Sequence, residues 1–404
     1  MKNLLYLAHR IPYPPNKGDK IRSFHLLQYL SKHYRVYLGT FIDNEEDWQY
    51  ENEVRKYCQD VCAVRLDPLS AKIKSLFALA GNTPLTLAYY RNRKLMHWVK
   101  TLSNTEFIQD VVIFSSAMAQ YAEHLSDCHR VIDFVDVDSD KWRQYAQSKP
   151  WPFNQIYHRE SKCLLDYERK VAKKFSYATF VSEKEAELFR YLSPDSADRT
   201  TFFNNGVDTD FFSPERDYAN PYPDKKKVLV FTGAMDYWAN VDAVSWFVNE
   251  VFPIIRAKRP DVDFYIVGAK PVKQVHMLAN SPGIHVTGAV RDIRPYLMHA
   301  TVAVAPLRIA RGIQNKVLEA MAMQKPVVVS TQAMEGIHAM PDKELIVAKE
   351  AGDFAERILF LLDSDKQIAM GRSARDRVLQ DYTWSANLAR IDALLASPRP
   401  SAKV

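Results

Sequence analysis

Cysteine is scarce in this sequence, and its positions form no recognisable metal site. The 404 residues contain four cysteines, at Cys58, Cys62, Cys128 and Cys163. Cys58 and Cys62 would share one helix face, but no nearby histidine or cysteine completes a zinc site. So small a number of cysteines fits a reducing cytosol. We therefore expect buried structural thiols.

Long apolar runs are missing as well. No segment approaches the roughly 18 apolar residues that a membrane-spanning helix requires. The apolar run within residues 1–8 is too short for a signal peptide and is typical of a first buried strand. Short-period repeats and low-complexity tracts are also absent. These absences predict a cytoplasmic globular protein, and a length of 404 residues favours two domains.

Acidic residues are absent from one segment, residues 68–105, in a chain of net charge +6. Apolar residues are interleaved there with six basic ones, Lys72, Lys74, Arg91, Arg93, Lys94 and Lys100. A basic, apolar-rich segment that cannot span a bilayer fits an anionic membrane surface. A solvated helix face over an ordinary core is the alternative. Nucleic acid fits less well, because no recognised nucleic-acid-binding module accompanies the charge.

Both halves of the chain alternate short apolar strands with amphipathic helices, which predicts α/β domains with parallel sheets and helices on both faces. In the first half we predict strands at Leu4–Ala8, Val36–Phe41, Val61–Leu66, Val111–Phe114, Val131–Val135 and Ala178–Val181. In the second half we predict strands from Val228 and at Asp263–Val267, His285–Thr287, Val302–Ala305, Val327–Ser330 and Leu345–Val347.

A proline-rich segment that ends in a charge run, residues 214–227, predicts a linker between the two halves. We therefore predict an N-terminal domain at 1–213 and a C-terminal domain at 228–383. Residues 384–404 would form a C-terminal helix and tail that packs back on the first domain. Two facing domains of this kind leave a cleft at the carboxyl ends of both sheets, where open sheets bind ligands.

The stretch 303–330 predicts a strand, a loop that turns on Gly312, a helix and a second strand. Free backbone N–H groups at the start of that helix would suit a diphosphate. Lys316 adds a positive charge one turn into the helix. Glu319 shares the face of Lys316 and could accept hydrogen bonds from ribose hydroxyls. An ordinary surface loop with a Lys–Glu helix pair is the alternative.

Other glycines also follow predicted strands. Gly268 and Gly288 do so in the second half, and together with Gly312 they predict a nucleotide pocket lined by backbone. In the first half, Gly18 ends a proline-rigid loop before a helix, which would allow close approach of a ligand. A purely steric turn is the alternative for each glycine alone.

An acidic run follows the predicted strand at Val131–Val135. Asp136 would lie at the carboxyl end of the sheet, where it could accept a proton or bind sugar hydroxyls. For Asp138 and Ser139 we slightly favour the alternative, capping of the next helix. Mg²⁺ is poorly supported, because no phosphate-binding lysine motif adjoins the acids.

The segment Asn204–Pro214 resembles the interdomain signature of family-4 retaining glycosyltransferases. The segments Gly288–Tyr296 and 316–326 follow in the expected order. Narrower features resemble the sugar transferases of bacterial exopolysaccharide clusters of the PEP-CTERM/exosortase type, at Lys17–Lys20, Val135–Trp142 and Gly312–Lys316. The resemblance covers nearly the whole chain and implies the GT-B fold, with two facing Rossmann-like domains.

The resemblance also implies a nucleotide-diphosphate sugar donor in the second domain, an acceptor in the first, and no bound metal or further cofactor. Taking the residues and the resemblance together, we predict donor contacts at Gly18, Gly233, Gly268, Val290, Arg311, Gly312, Ile313, Lys316 and Glu319. The predicted acceptor contacts are Lys17, Asp19, Asp136 and Ser139. The predicted catalytic residues are Asp136, Asp138, Lys316 and Arg311. Among these, Glu319 would bind the ribose, Val290 would meet the base, and Lys316 would hold the diphosphate.

The sequence departs from the broad family at three places. Arg311 stands where the first of two glutamates is usual, and Met235 stands in the segment where an Arg and a Lys are usual. The region of Asp136 and Asp138 replaces the usual histidine of the first domain. Our hypothesis is that Arg311 pairs with the diphosphate or with a carboxylate on the donor sugar. A solvent-facing arginine is the alternative.

The leading functional prediction is a retaining glycosyltransferase that moves a sugar to a lipid-linked or growing exopolysaccharide acceptor. It would be cytoplasmic and peripheral on the inner face of the plasma membrane. Two other functions are open: a nucleotide-sugar epimerase or hydrolase, and a non-catalytic donor-binding scaffold of a polysaccharide assembly complex. The absence of the usual glutamate favours the scaffold.

Overall fold

The structure is a computed structural model that describes residues 1–148, 150–223, 227–310, 312–363 and 365–397. The chain divides into two compact units. The first contains residues 1–204 and the C-terminal segment from Leu388, and the second contains Asn205–Asn387. Each unit is built on a parallel sheet with helices, as the sequence predicts.

The first unit has a seven-stranded parallel sheet in the order β3-β2-β1-β4-β5-β6-β7. Its strands are β1 Lys2–Ala8, β2 Tyr34–Ile42, β3 Asp60–Arg65, β4 Ile108–Phe114, β5 His129–Val135, β6 Tyr177–Phe180 and β7 Thr200–Phe202. Its helices are α1 Gly18–His33, α2 Glu51–Arg55, α3 Pro68–Leu76, α4 Leu85–Tyr89, α5 Arg93–Thr105, α6 Asp138–Ser148, α7 Phe153–Lys174 and α8 Glu183–Leu192. The central strands are apolar and buried on both faces, as parallel sheets covered by helices require.

A fully buried ion pair lies inside this first unit. The Arg22 Nε lies 2.7 Å from the Asp133 Oδ2, which links α1 to β5. The guanidinium also donates to the Phe203 carbonyl at 3.1 Å and lies over the Phe203 ring. Since both charges are shielded from water, the pair fixes α1 beneath the carboxyl edge of the sheet.

The second unit has a six-stranded parallel sheet in the order β10-β9-β8-β11-β12-β13. Its strands are β8 Lys227–Thr232, β9 Val262–Val267, β10 Ile284–Gly288, β11 Val302–Ala305, β12 Val327–Ser330 and β13 Ile346–Ala348. Its helices are α9 Trp238–Trp246, α10 Phe252–Lys258, α11 Lys273–Leu278, α12 Arg294–His299, α13 Asn315–Ala322, α14 Thr331–Met334, α15 Ala351–Leu362 and α16 Lys366–Asp381. A π-helical turn, Phe247–Val251, joins α9 to α10.

The last helix, α17 Trp384–Ala396, crosses the division between the units. From Leu388 onward it belongs to the first unit, where the Tyr29 hydroxyl donates to Asp392 at 2.6 Å. This confirms the prediction that the C-terminal helix packs back on the first domain.

The predicted domain boundary is wrong, because the units divide between Asn204 and Asn205. The described part of the predicted linker, residues 214–223, belongs to the second unit. Tyr222 is buried there, with its ring 4.6 Å from that of Tyr265 and its hydroxyl bound to the Tyr296 carbonyl at 2.6 Å. An aromatic residue among the prolines therefore holds this segment against the sheet.

Candidate functional site

The loop after β11 leads into α13 through Gly312, which has φ +67°. This left-handed conformation favours glycine. A Cβ at Gly312 would meet no atom within 4 Å, so the loop surface is open there. The Gln314 side chain donates to the Gly312 carbonyl at 3.0 Å and holds the turn in front of the helix. Arg311 lies outside the described residues.

Lys316 lies in the first turn of α13, and its ammonium group is held by two neighbours. The Nζ donates to the Asn240 Oδ1 and lies 4.5 Å from the centre of the Phe231 ring. Asn240 is itself fixed, because its Nδ2 donates to the Ala234 carbonyl at 2.9 Å. Burial lowers the pKa of Lys316 to about 8, since a desolvated ammonium is less stable than a hydrated one. Asn240 and Phe231 therefore orient this lysine without neutralising it.

Glu319 lies one turn after Lys316 on α13. Within the part of the chain that the structure describes, its carboxylate accepts no hydrogen bond. Burial raises the pKa of Glu319 to about 7, and the charge of Lys316 offsets part of that effect. Because the side chain is only half-buried, its carboxylate remains accessible to the hydroxyl donors of a ligand, such as a ribose diol.

Gly233 and Gly268 have a packing role that the sequence did not reveal. A Cβ on Gly268 would lie only 1.6 Å from the Gly233 carbonyl oxygen, so the loops after β8 and β9 touch through bare backbone. A Cβ on Gly233 would lie 2.8 Å from the Asn240 Nδ2 and 3.3 Å from the Lys316 Nζ. Gly233 thus borders the space around the lysine, whereas Gly268 supports the loop behind it.

Two further residues of the second unit that were predicted to contact the donor, Ile313 and Val290, are half-buried. Ile313 is half-buried and packs against Gly336, where a Cβ would lie 3.1 Å from its Cγ1. Val290 follows β10 and is packed partly against the core. Met235 is fully buried in the core, so it presents no group to a ligand.

The carboxyl end of β5 in the first unit carries the predicted acids. Val135 has φ +71°, a conformation that β-branched residues rarely adopt. The Lys141 Nζ lies 2.7 Å from the Asp136 Oδ2 and 3.3 Å from the Asp138 Oδ1. Burial raises the pKa of Asp138, and the ammonium of Lys141 lowers it in part. Both acids therefore share one basic partner at a strained strand end.

Ser139 faces inward rather than toward a ligand. Its hydroxyl donates to the Glu168 Oε2 at 2.5 Å, and its backbone N–H donates to the Oε1 at 3.3 Å. Glu168 is buried on α7, and this burial, with the charge of Asp138, raises its pKa to about 8. We therefore assign Ser139 a structural role, in place of acceptor binding or helix capping.

The end of β1 carries a charge cluster that the sequence analysis missed. The Arg10 Nη2 lies 2.7 Å from the Asp43 Oδ2, and its Nη1 lies 2.6 Å from the Asp19 Oδ2. The His9 Nε2 lies 3.5 Å from the same Asp19 oxygen. Although burial opposes it, the contacts with His9 and Arg10 lower the pKa of Asp19. The Asp19 carboxylate is thus already bound by His9 and Arg10.

Lys17 and Gly18 come directly before Asp19 in the chain, and both are exposed at the start of α1. A Cβ on Gly18 would meet no atom within 4 Å. Nothing in the packing therefore requires glycine at this position, and a ligand could approach the backbone there. The sequence signal for His9 and Arg10 is their position directly after the first strand.

Residues 226–364 match the family model of glycosyl transferases group 1. This match lies within the second unit, which is therefore similar to the glycosyl transferases of group 1. A trehalose synthase of Thermococcus litoralis is 24% identical over 291 residues, which cover 67% of this chain. The chain spans 63% of the length of that relative.

Two solved structures are similar to nearly the whole chain. Anabaena Alr3699/HepE in complex with UDP has a TM-score of 0.66 at 15% identity, covering 98% of this chain and 100% of that one. Sucrose-phosphate synthase from Thermosynechococcus elongatus has a TM-score of 0.63 at 16% identity, covering 98% of each. The chain therefore has the GT-B fold, built from two Rossmann-like units.

Proposed function

We propose that the protein transfers a sugar from a nucleotide-diphosphate sugar to a hydroxyl acceptor. The observation that carries this proposal is the pair Lys316 and Glu319 on α13 of the glycosyltransferase domain. The ammonium group is oriented by Asn240 yet has no carboxylate within ion-pair distance among the described residues, and the Glu319 carboxylate lacks a donor there. A diphosphate beside Lys316 and a ribose beside Glu319 would satisfy both groups.

The proposed chemistry requires stabilisation of a leaving diphosphate. The bond between sugar C1 and the diphosphate oxygen breaks, and a bond from C1 to the acceptor oxygen forms. With retention, the acceptor approaches the face that the diphosphate leaves, and a leaving phosphate oxygen takes the hydroxyl proton. Lys316 and the backbone N–H groups after Gly312 would stabilise the negative charge that develops. No metal is needed for this step.

The acceptor is proposed to bind at the carboxyl edge of the first sheet. Asp136 and Asp138 are partly exposed there and could accept hydrogen bonds from sugar hydroxyls, while Lys141 offsets one of their two charges. Lys17 is exposed after β1, a strand of the same parallel sheet. A polar surface of this kind suits a carbohydrate, so we propose a lipid-linked or growing exopolysaccharide acceptor, as in the PEP-CTERM-type transferases that the sequence resembles.

Arg311 keeps its proposed role beside the donor. A guanidinium next to Gly312 could form a bidentate contact with the diphosphate, or with a carboxylate on the sugar. Arg311→Ala should then weaken binding of the complete donor. Unchanged donor affinity and turnover would remove this role.

A thermal-shift panel tests donor binding first. UDP, ADP, GDP and their glucose derivatives should be compared, with UDP foremost because the similar Alr3699/HepE binds UDP. A ligand at 100 times its Kd stabilises the folded state by about 2.7 kcal/mol. We expect at least one nucleotide to raise the Tm, and Glu319→Gln to reduce the shift. If no nucleotide shifts the Tm, the donor site is wrong.

Acceptor dependence separates the remaining functions. Incubation with the donor should release nucleoside diphosphate only when acceptor is added. Release without acceptor would favour a hydrolase, and an altered sugar would favour an epimerase. Tight donor binding without turnover on any acceptor would favour a scaffold, which the arginine at the usual glutamate position supports.

A further inference from the structure

Two helices of the acid-free segment, residues 68–105, place their large apolar residues on opposite sides, α5 inward and α3 outward. On α5, the apolar residues Leu95, Val99 and Leu102 are buried in the core, so this helix has the ordinary inward apolar face. On α3, the buried residues are the small Ala71 and Ser75. The large apolar residues of α3 are therefore left on the outside.

The outward face of α3 and of the turn that follows it consists of four residues, which we call the α3 face. Their exposed fractions are 75% for Leu69, 62% for Ile73, 48% for Leu76 and 80% for Phe77. With about 100° between successive residues, they form one continuous arc of the helix. Such a contiguous apolar patch on a protein surface marks an interaction site.

The outward orientation of α3 is fixed at both ends. The Asp67 side chain caps its first turn by accepting from the Leu69 N–H at 3.0 Å. After the helix, Arg159 of α7 donates to the Ala78 carbonyl at 2.7 Å. The neighbouring Glu160 accepts from the Leu85 N–H at 2.6 Å. These anchors prevent α3 from rotating its apolar residues into the core.

Two lysines flank the α3 face. Lys72 and Lys74 are exposed and flank the apolar arc on its two sides at helical spacing. Four further cations follow on the next elements, all exposed: Arg91, Arg93, Lys94 and Lys100. Within the described residues, none of the six forms an ion pair with a carboxylate. The segment thus presents apolar side chains between cations that have no protein counter-ion.

We propose that the α3 face docks on an anionic lipid bilayer. The apolar arc would enter the boundary between headgroups and acyl chains, and the flanking lysines would meet the lipid phosphates. A second copy of the chain is a poorer occupant, because a two-fold interface through α3 would bring the Lys72 and Lys74 of each copy close to those of the other. This inference goes beyond the proposed donor chemistry and does not depend on it.

Vesicle sedimentation with the full chain tests the proposal. The vesicles are phosphatidylcholine alone or phosphatidylcholine mixed with phosphatidylglycerol. The triple variant Leu69→Gln/Ile73→Gln/Phe77→Gln should lower partitioning into the mixed vesicles at least about 100-fold, because three large apolar contacts are lost. Lys72→Gln/Lys74→Gln should lower it roughly 30-fold in the mixed vesicles and leave binding to phosphatidylcholine unchanged.

Matched variants control for general changes of surface. Ile368→Gln/Leu379→Gln removes exposed apolar residues from the second unit, and Lys258→Gln/Lys273→Gln removes exposed lysines there. These controls should bind vesicles like the parent chain. All the substituted side chains are exposed, so the Tm should stay the same.

Three results would overturn the proposal. The first is a parent chain that does not sediment with the mixed vesicles. The second is vesicle binding that the α3 variants reduce no more than the controls do. The third is a dimer by light scattering that the triple variant dissociates, without vesicle binding, which would make a second copy the occupant. Nucleotide thermal shifts measured on the same variants show independently whether the donor site is intact.

Discussion

The charged side chains at the carboxyl edges of the two sheets differ in their pairing. In the first unit, Lys141 forms ion pairs with Asp136 and Asp138, and Arg10 forms ion pairs with Asp19 and Asp43. In the second unit, Lys316 meets only an amide oxygen and an aromatic ring, and Glu319 meets no hydrogen-bond donor in the described part of the chain. The first edge is complete without a ligand, whereas the second has charges that a ligand would complete.

This difference indicates which kind of ligand each edge can bind. An anion binds where a cation is present and unpaired, so the second unit is suited to a diphosphate. A cluster in which every cation is already paired offers hydrogen-bond acceptors and donors but no free cation, which suits the hydroxyls of a sugar. The comparison therefore supports our proposal that the donor binds to the second unit and the acceptor to the first.

The largest expected effect comes from breaking the buried pair beneath the first edge. Arg22→Met leaves Asp133 buried without its guanidinium, which should lower the free energy of unfolding by about 3–5 kcal/mol. Urea unfolding followed by circular dichroism measures this. The control Arg65→Met removes an exposed pair with Glu45 and should cost about 0–1 kcal/mol. Equal costs for both variants would show that the first edge does not depend on its charges for stability.

Removing the unpaired charge of the second edge should act on binding rather than on folding. Lys316→Met should weaken the binding of a nucleoside diphosphate by roughly 30-fold, about 2 kcal/mol, because one charge-assisted contact is lost. The ligand to use is the nucleoside diphosphate that gives the largest thermal shift. Calorimetric titration measures the Kd. The Tm without ligand should not fall, since the variant removes a desolvated ammonium. Lys273→Met, an exposed lysine of the same unit, should leave the Kd unchanged.

The pH dependence of donor binding tests whether the two charged groups of the second edge, Lys316 and Glu319, bind the donor. Above about pH 8 Lys316 loses its proton and its attraction for a diphosphate. Below about pH 7 Glu319 gains a proton and accepts hydrogen bonds from a ribose less well. Affinity should therefore be highest between pH 7 and 8 and fall up to about tenfold per pH unit outside that range.

UDP-glucose is the suitable probe for this titration, because its diphosphate diester does not itself titrate near neutral pH. The double variant Lys316→Met/Glu319→Gln should bind weakly with a flat pH profile. A parent chain whose affinity is constant from pH 6 to 9 would contradict both assigned roles.

The fold was largely predictable, because parallel strands covered on both faces appear as continuous apolar runs. The GT-B prediction is confirmed, and the strands of the second sheet lie where the sequence predicted them. Strand β7 was not predicted, because Thr200–Phe202 is short and begins with two threonines. The boundary prediction failed for a related reason: prolines predicted a linker, but Tyr222 among them packs into the second unit.

The candidate site was predictable only where its residues are neighbours in sequence. Lys316 and Glu319 could be placed on one helix face by their spacing, but Asn240, which orients the lysine, is 76 residues away. No local pattern links these two positions. For Gly268, the sequence predicted a ligand contact but gave no sign of its close packing against the Gly233 backbone. Contacts between loops follow from the register of the sheet, which the sequence does not display.

The smallest expected effect concerns the strained residue at the first edge. Val135 adopts φ +71°, where its branched side chain is unfavourable, so Val135→Asn should raise the free energy of unfolding by about 1 kcal/mol. Urea unfolding measures the gain, with Val181→Asn as the control at the end of the neighbouring strand. If the strain serves to position Asp136, the stabilised variant should transfer sugar more slowly while it binds donor normally. Full turnover in a more stable protein would show that the strand end is strained for reasons unrelated to the acceptor.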